Sequence, residues 1–310
     1  MPSDGIGSSY ANLAPTGSVR QDLAGIIYRV TPVDRPLSEM TSDGRASSKY
    51  HTWMNDALTV RQANRHQEGH QILRAAPNVP SVVGNWCQIV EKTWTVTESH
   101  EAMTHAGLAS LVKHQMDLRS TELLTDIEHE LWVSTVVTNN TAVTSAMQGL
   151  IALALAGSNA STIASGTSIG FDETVMNDMF QQLWENSNIF PSEVFVGAAL
   201  RRRISGFTTR TTFFEPASSE QKRNTIGVYV SDFGTSRIHL CRDIPSTAGQ
   251  GAAGLGIVMI APQFFKKAWL RTIKAEPLPK LYDSYDGRCV AELTMEWGHA
   301  NASGIRLGYS

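Results

Sequence analysis

The chain has 310 residues, 42% hydrophobic and 18% charged, with a formal net charge of −3. This is enough chain for one large domain or two modest ones with a real core, and the slightly acidic balance excludes a protein whose main task is condensing nucleic acid, which needs a clear basic excess. Three widely spaced cysteines, Cys87, Cys241 and Cys289, form no CxxC pair, so neither a disulfide framework nor a zinc site is expected.

The first 20 residues are rich in Ser, Gly and Ala. They lack the basic and apolar regions of a signal peptide and have little to bury. In DLAGIIYRVTPVDRPLSEM, the apolar residues Leu23, Ile26, Ile27 and Val30 suit a short helix. Pro32 and Pro36 then force an extended path. The segment reads as an arm. Lys49 to Leu58 and Asn85 to Thr97 are two strand-like runs, separated by about 26 mostly polar residues with Pro77 and Pro80 near the end. A loop that long is uncommon inside a compact domain, so the sequence predicts a two-stranded flap projecting from a body.

Residues 98–133 predict one long amphipathic helix of roughly 50 Å, with Leu108, Val112, Met116, Leu123, Ile127 and Leu131 at three- or four-residue steps. Residues 134–170 read as a small, low-charge connector around a short apolar island. That island, Gly149 to Ala156, is too short to span a bilayer, so no membrane partner is expected. Asp172 is the expected cap of a second helix, with Val175, Met176, Met179, Phe180, Leu183 and Trp184 on one stripe. SEVFVG is a strand leading into a helical stretch at Ala198, and from Gly227 onward the pattern is mostly strand. The whole is an α+β chain without repeats.

No motif carries catalysis. Gly249, Gly251 and Gly254 spell GxGxxG, but a strand candidate follows where a dinucleotide site needs a helix. Ser110 and Lys113 spell SxxK without the accompanying hydrolase motifs. His66 and His70, or His100 and His105, have a spacing that fits one helix face, yet no HExxH is present. The expectation is no catalytic, cofactor-binding or metal-ligating residue and no cofactor. Arg201, Arg202 and Arg203 form the one basic run. They suit either a solvated helix end or paired contacts with carboxylates or phosphates. The alternative reading is a soluble enzyme or ligand-binding α+β protein with no recognisable catalytic motif.

Six segments, in order, resemble a family of tailed-bacteriophage major capsid proteins with the Hong Kong 97-type fold. They are the arm DLAGIIYRVTPVDRPLSEM, YHTWMNDAL, VGNWCQIVEKTWTVTESHEAMTHAG, RRRISGF, VYVSDFGTSRIHLCRDI, and AWLRTIKAEPLPK with AELTMEWGHANASGI. The chain departs from the family pattern at LPKLYDSYD and at Trp297, Gly298 and His299.

The resemblance implies a structural shell subunit, not an enzyme, built from four parts. These are an N-terminal arm (1–45), an extended loop with flanking strands (46–95), a peripheral domain with a spine helix (96–135 and 230–296) and an axial domain (136–229 and 297–310). It implies self-association into hexamers and pentamers of an icosahedral head, assembled in the host bacterial cytoplasm and retained in the virion. Further expected partners are a portal, separate scaffolding and decoration proteins, and packaged double-stranded DNA held non-specifically. The arm motif begins about twenty residues after Met1, so no cleaved propeptide is expected. Arg61, Arg65 and Arg74 on the flap and Arg201, Arg202 and Arg203 are the expected inter-subunit contacts. Some shells of this fold are locked by a flap lysine bonded to a neighbour's asparagine. From Thr59 to Ser81 this chain has those three arginines and no lysine, and arginine is no nucleophile, so a non-covalent shell is expected.

Overall fold

A computed structural model gives the fold, and it describes residues 31, 34–58, 61, 63–71, 74, 77–105, 107–135, 145–162, 170–207, 227–244, 256–280 and 282–309. The expected helix around Leu23–Val30, the turn at Pro32 and the glycine-rich stretch 249–254 lie outside the described residues.

One unit is a four-stranded sheet backed by a long helix. Its strands are β1 (Ser42–Arg45), β4 (Gln88–Thr97), β10 (Phe265–Pro277) and β11 (Ser284–Trp297), in the order β1-β10-β11-β4. β1 runs parallel to β10, and the other pairs are antiparallel. Alternation along β4 sends Val90, Trp94 and Val96 inward. There they meet Leu123, Ile127 and Leu131 of helix α3 (Leu111–Val133), with Cys289, Ala291 and Leu293 of β11 beneath. Gly287 has a specific reason to be glycine, because a Cβ there would stand 2.2 Å from the Trp94 ring.

The predicted continuous helix over 98–133 is instead two helices, α2 (Glu98–Ala102) and α3. Gly107 takes φ +76°, and each helix has its own cap: Thr97 Oγ1 accepts from His100 N, and Ser110 Oγ accepts from Lys113 N. The SxxK spacing is therefore an N-cap. Glu101 of α2 completes it, accepting from Ser110 Oγ at 2.7 Å, Leu111 N at 2.9 Å and Val112 N at 3.0 Å. The helix that remains is about 35 Å long.

The second unit is a six-stranded sheet sandwiched between helices. Its order is β5-β12-β9-β6-β8-β7, with β5 (Ala160–Thr162), β6 (Glu193–Val196), β7 (Val228–Ser231), β8 (Gly234–Leu240), β9 (Ile257–Ile260) and β12 (Ser303–Leu307). Val194 and Val196 face helices α5 (Glu173–Ser187) and α6 (Ala198–Ile204). Phe195 faces the other way, edge-on to Trp132 at the end of α3 and packed with helix α4 (Leu150–Ala156). The apolar island predicted as part of a connector is α4, whose Leu150, Ile151, Leu153 and Ala154 are buried. The structure also moves a boundary. Strands β8 and β9, in a stretch grouped from sequence with the spine helix, belong to this sheet, because β6 pairs with both of them. Asp172 caps α5 as expected, and Asn188, with φ 52°, ends it.

Substituting Gly287→Ala is expected to lower stability by about 2–3 kcal/mol, the cost of forcing an atom into a packed core. The control is Gly44→Ala, whose Cβ would meet its nearest neighbours at 3.7 Å. Urea unfolding of the unassembled chain checks the pair: the first variant shifts the midpoint down and the second leaves it close to the native value.

Candidate assembly surfaces

The flap is a two-stranded antiparallel ribbon of β2 (Tyr50–Asn55) and β3 (Ser81–Trp86), paired from Tyr50↔Trp86 to Asn55↔Ser81. Its return strand is therefore Ser81–Trp86, not the whole run Asn85–Thr97. That run divides at Cys87, whose N–H donates to Lys49 O. Strand alternation gives the ribbon two faces. His51, Trp53, Val83 and Asn85 face the body. Trp53 Nε1 donates to Trp297 O at 2.7 Å, and His51 Nε2 sits 3.2 Å from Glu296 Oε2. Tyr50, Thr52, Met54 and Val82 face away, with Met54 73% exposed. Beyond the strands Leu58 is 98% exposed and Val79 is also open.

Within the flap loop Arg61, Arg65 and Arg74 are all exposed, and none has an ion-pair partner among the described residues. The His66 and His70 rings stack at 4.1 Å. His100 and His105 do not share a helix: His105 lies beyond α2 and its Nε2 is 2.8 Å from His100 O.

Asn85, buried where the flap joins the body, uses its whole amide. Nδ2 donates to Met295 O at 2.9 Å and Gln148 O at 3.2 Å, while Oδ1 accepts from Gln148 N and Trp86 N, both at 2.9 Å. Gln88 Oε1 accepts from Ser134 Oγ and Met147 N.

The end of the predicted arm is docked on its own chain, against the expectation of a free arm through residue 45. Pro36 starts helix α1 (Pro36–Met40) where an extended path was expected, since proline suits the first helical turn. Leu37 is buried in the core under α3. Glu128 of α3, 1% exposed, accepts from Leu37 N at 2.9 Å, Ser38 N at 2.7 Å and Trp132 Nε1 at 2.9 Å. Lys267 Nζ donates to Ser38 O, and β1 then pairs with β10. Periodicity placed no carboxylate in this core; the one available signal was a Glu four residues before a Trp.

The three arginines of α6 divide. Arg201 turns inward, and its Nη1 donates to Ile238 O at 3.1 Å. Burial pulls its pKa down. Arg202 is exposed and Arg203 half-buried, and neither has an ion-pair partner among the described residues. Burial pushes the Cys87 thiol up to about 11 and the Cys241 thiol up to about 12, so neither is a thiolate nucleophile at neutral pH. Among the described residues no cluster of three or more His, Cys, Asp or Glu is placed to hold a metal ion. No described helix is long and apolar enough to cross a membrane.

Comparison with known proteins gives a family. The model of the SU10 major capsid protein family matches residues 6–309. No curated protein matches the chain. Among solved structures, the capsid of a native GTA particle superposes with a TM-score of 0.69 at 8% identity, covering 99% of this chain and 100% of that one. The capsid of cyanophage P-SCSP1u gives 0.64 at 13% identity, covering 98% of each chain. A structure from Microbacterium phage Oxtober96 gives 0.63 at 15%, covering 96% of this chain and 98% of that one.

Burial pushes the Glu128 carboxyl above its ordinary value, outweighing the three hydrogen bonds that pull it down. A carboxyl with a raised folded pKa contributes stability that is complete below its unfolded value, ~4.3. That contribution is lost as pH rises through the folded value. The native chain is therefore expected to lose stability relative to the Glu128→Gln variant as pH rises through that window, then to run parallel to it. Urea unfolding of both proteins across the pH range measures the difference.

Proposed function

The chain belongs to the SU10 major capsid protein family, and from that premise we propose which of its surfaces build the shell. Its role is structural: copies of it associate into capsomers and form an icosahedral head. Within that role, the unit of α3 and the four-stranded sheet serves as the peripheral domain. The six-stranded sheet, with β8 and β9 included, and α4, α5 and α6 serve as the axial domain.

The flap is the part assigned to a neighbouring subunit. The observation that supports this is its outer face, where Tyr50, Met54 and Val82, followed by Leu58 and Val79, are apolar and exposed on a ribbon whose other face is already used. A two-stranded ribbon is marginal in water by itself, and contiguous exposed apolar surface marks an interaction site. Arg61, Arg65 and Arg74 add charged groups that suit carboxylates on the adjacent copy. Residues 1–30 are assigned the same inter-subunit role as an arm, with the docked segment 36–45 as its root. Non-specific contact with packaged double-stranded DNA through scattered Arg and Lys, a portal, separate scaffolding and decoration proteins, assembly in the host cytoplasm, and the absence of enzymatic activity complete the reading.

Electron microscopy of the purified full chain tests it. Shells, capsomers or tubes are expected, whereas a monodisperse monomer under all assembly conditions overturns it. The shell is expected to be non-covalent. Mature particles boiled in denaturant should run as one band near 33.9 kDa, and a ladder of oligomers that survives reductant would contradict this.

A further inference from the structure

One motif keeps a part without a role in the core or the flap: the turn of the VYVSDFG segment. The segment forms β7 and the turn into β8, and that turn is rigid. Ser231 Oγ accepts from Phe233 N at 3.3 Å and donates to Gly234 O at 3.1 Å. Gly234 takes φ +149°, and a Cβ there would stand 2.9 Å from the Phe190 ring. Phe190 in turn stacks on Phe180 of α5. So much local structure around an exposed turn fixes what the turn displays. It displays Asp232, exposed, and Phe233, which lies 6.2 Å from the ring of Trp184 at the end of α5. Trp184 is 50% exposed, a large apolar surface left open. Glu185 is its exposed neighbour, and α5 carries three acidic residues with no Lys or Arg. The patch is aromatic at its centre and negative at its rim.

The complementary patch is at the other end of the same helix. Phe207, just after α6, stacks on Phe171, just before α5, at 5.8 Å. This sets the C-terminal end of α6, which carries Arg202 and Arg203, beside the start of α5, and the two ends of α5 from Phe171 to Trp184 are about 20 Å apart at 1.5 Å per helical residue. Neither arginine has a carboxylate within ion-pair distance among the described residues. At that separation the two patches do not reach each other within one chain. A closed ring of identical subunits is heterologous, so each copy must carry two different, mutually complementary surfaces. An arginine suits this acceptor, since its planar guanidinium stacks on an indole and forks onto a carboxylate.

We propose that the Asp232–Phe233 turn, with Trp184 and Glu185, is one half of the contact between neighbouring subunits of a capsomer, and that Arg202 and Arg203 of the next copy are the other half. The proposal rests on the shell-forming reading above and names two partner surfaces within it.

Charge reversal tests the pairing in the full chain, with Asp232→Arg, Arg202→Glu and the two combined. Both side chains are exposed, and thermal unfolding of the unassembled protein verifies that each variant folds. Particle yield is read by sedimentation and negative-stain microscopy. Each single reversal is expected to lower the yield about tenfold or more, because like charges then face each other across every contact. The combination restores opposite signs and is expected to return the yield to near the native level. Mixing the two single variants should rescue six-membered rings, in which they can alternate, and not five-membered ones. Full yield from either folded single variant overturns the proposal, as does a combination no better than the singles. Failure of the native chain itself to form any particle counts against the shell-forming reading, a result distinct from those.

Discussion

The arrangement turns on one buried amide. Asn85 sits where three pieces of chain meet: the return strand of the flap, the end of β11 and the segment entering α4. Its two donors and its acceptor oxygen bind Met295 O, Gln148 O, Gln148 N and Trp86 N. A buried polar group is stable only when it is satisfied, and an amide used at every position allows few alternative geometries. The flap's angle, the four-stranded sheet and the start of the six-stranded unit are therefore set together. Gly149 lies beside this point, where a Cβ would meet Ser134 O at 2.9 Å. Its N–H donates to that same carbonyl at 2.8 Å, joining the end of α3 to the start of α4. The two units share a stiff junction, and the flap projects from it.

Carboxylates play a second, related part. Glu101 and Glu128 both satisfy backbone N–H groups at helix starts that sequence-local capping leaves open. Glu101 turns a break at Gly107 into a defined corner between α2 and α3. Glu128 reaches from inside α3 to the first turn of α1, so segment 36–45 is held at a fixed place. The arm proposed above gains from such a rooted base, because less of its length has to be ordered on contact. The buried carboxylate is costly to desolvate, and its raised pKa records that cost.

Legibility in the sequence followed the range of the interactions. The Asp172 cap and the stripe of Met176, Met179, Phe180 and Leu183 are local, and the helix stands where they place it. The alternation Thr93 to Thr97 likewise produces β4. Trp184 belongs to the same stripe by spacing and is nevertheless exposed, since its place depends on the turn of a distant hairpin. The break at Gly107 is hidden because no proline marks it and polar, helix-compatible residues precede it. The partner of β2 is not legible because Ser81–Trp86 and Gln88–Thr97 are separated by one residue, Cys87, whose N–H turns to Lys49 O. Strands β8 and β9 belong to a different unit from the one the sequence suggests for the same reason, since strand order depends on pairing with β6, far away in sequence. Of the six arginines singled out, five remain unpaired among the described residues, while Arg201 serves its own fold; no local pattern distinguishes Arg201 from Arg202.

The surfaces left open share a property that a shell requires. Each is small: a ribbon face with three outward apolar side chains, a loop with three arginines, a turn beside one tryptophan, two arginines on a short helix. Singly such contacts are weak, with exposed ion pairs commonly contributing less than about 1 kcal/mol. Once one contact forms, however, the next is intramolecular, and its effective concentration raises the affinity of the whole without any new chemistry. Weak individual contacts also allow a misplaced subunit to leave before the shell closes around the error. A subunit with one large, tightly binding apolar interface would lose that correction and would expose more aggregation-prone surface while free. On the proposed assignment, dividing the binding energy among arm, flap and the surfaces of the six-stranded unit reconciles a stable shell with a soluble precursor. Among the described residues most large apolar side chains lie in the packed clusters of the two units, and the exposed ones, such as Met54 and Val82 of the flap and Trp184 of α5, are spread over separate surfaces.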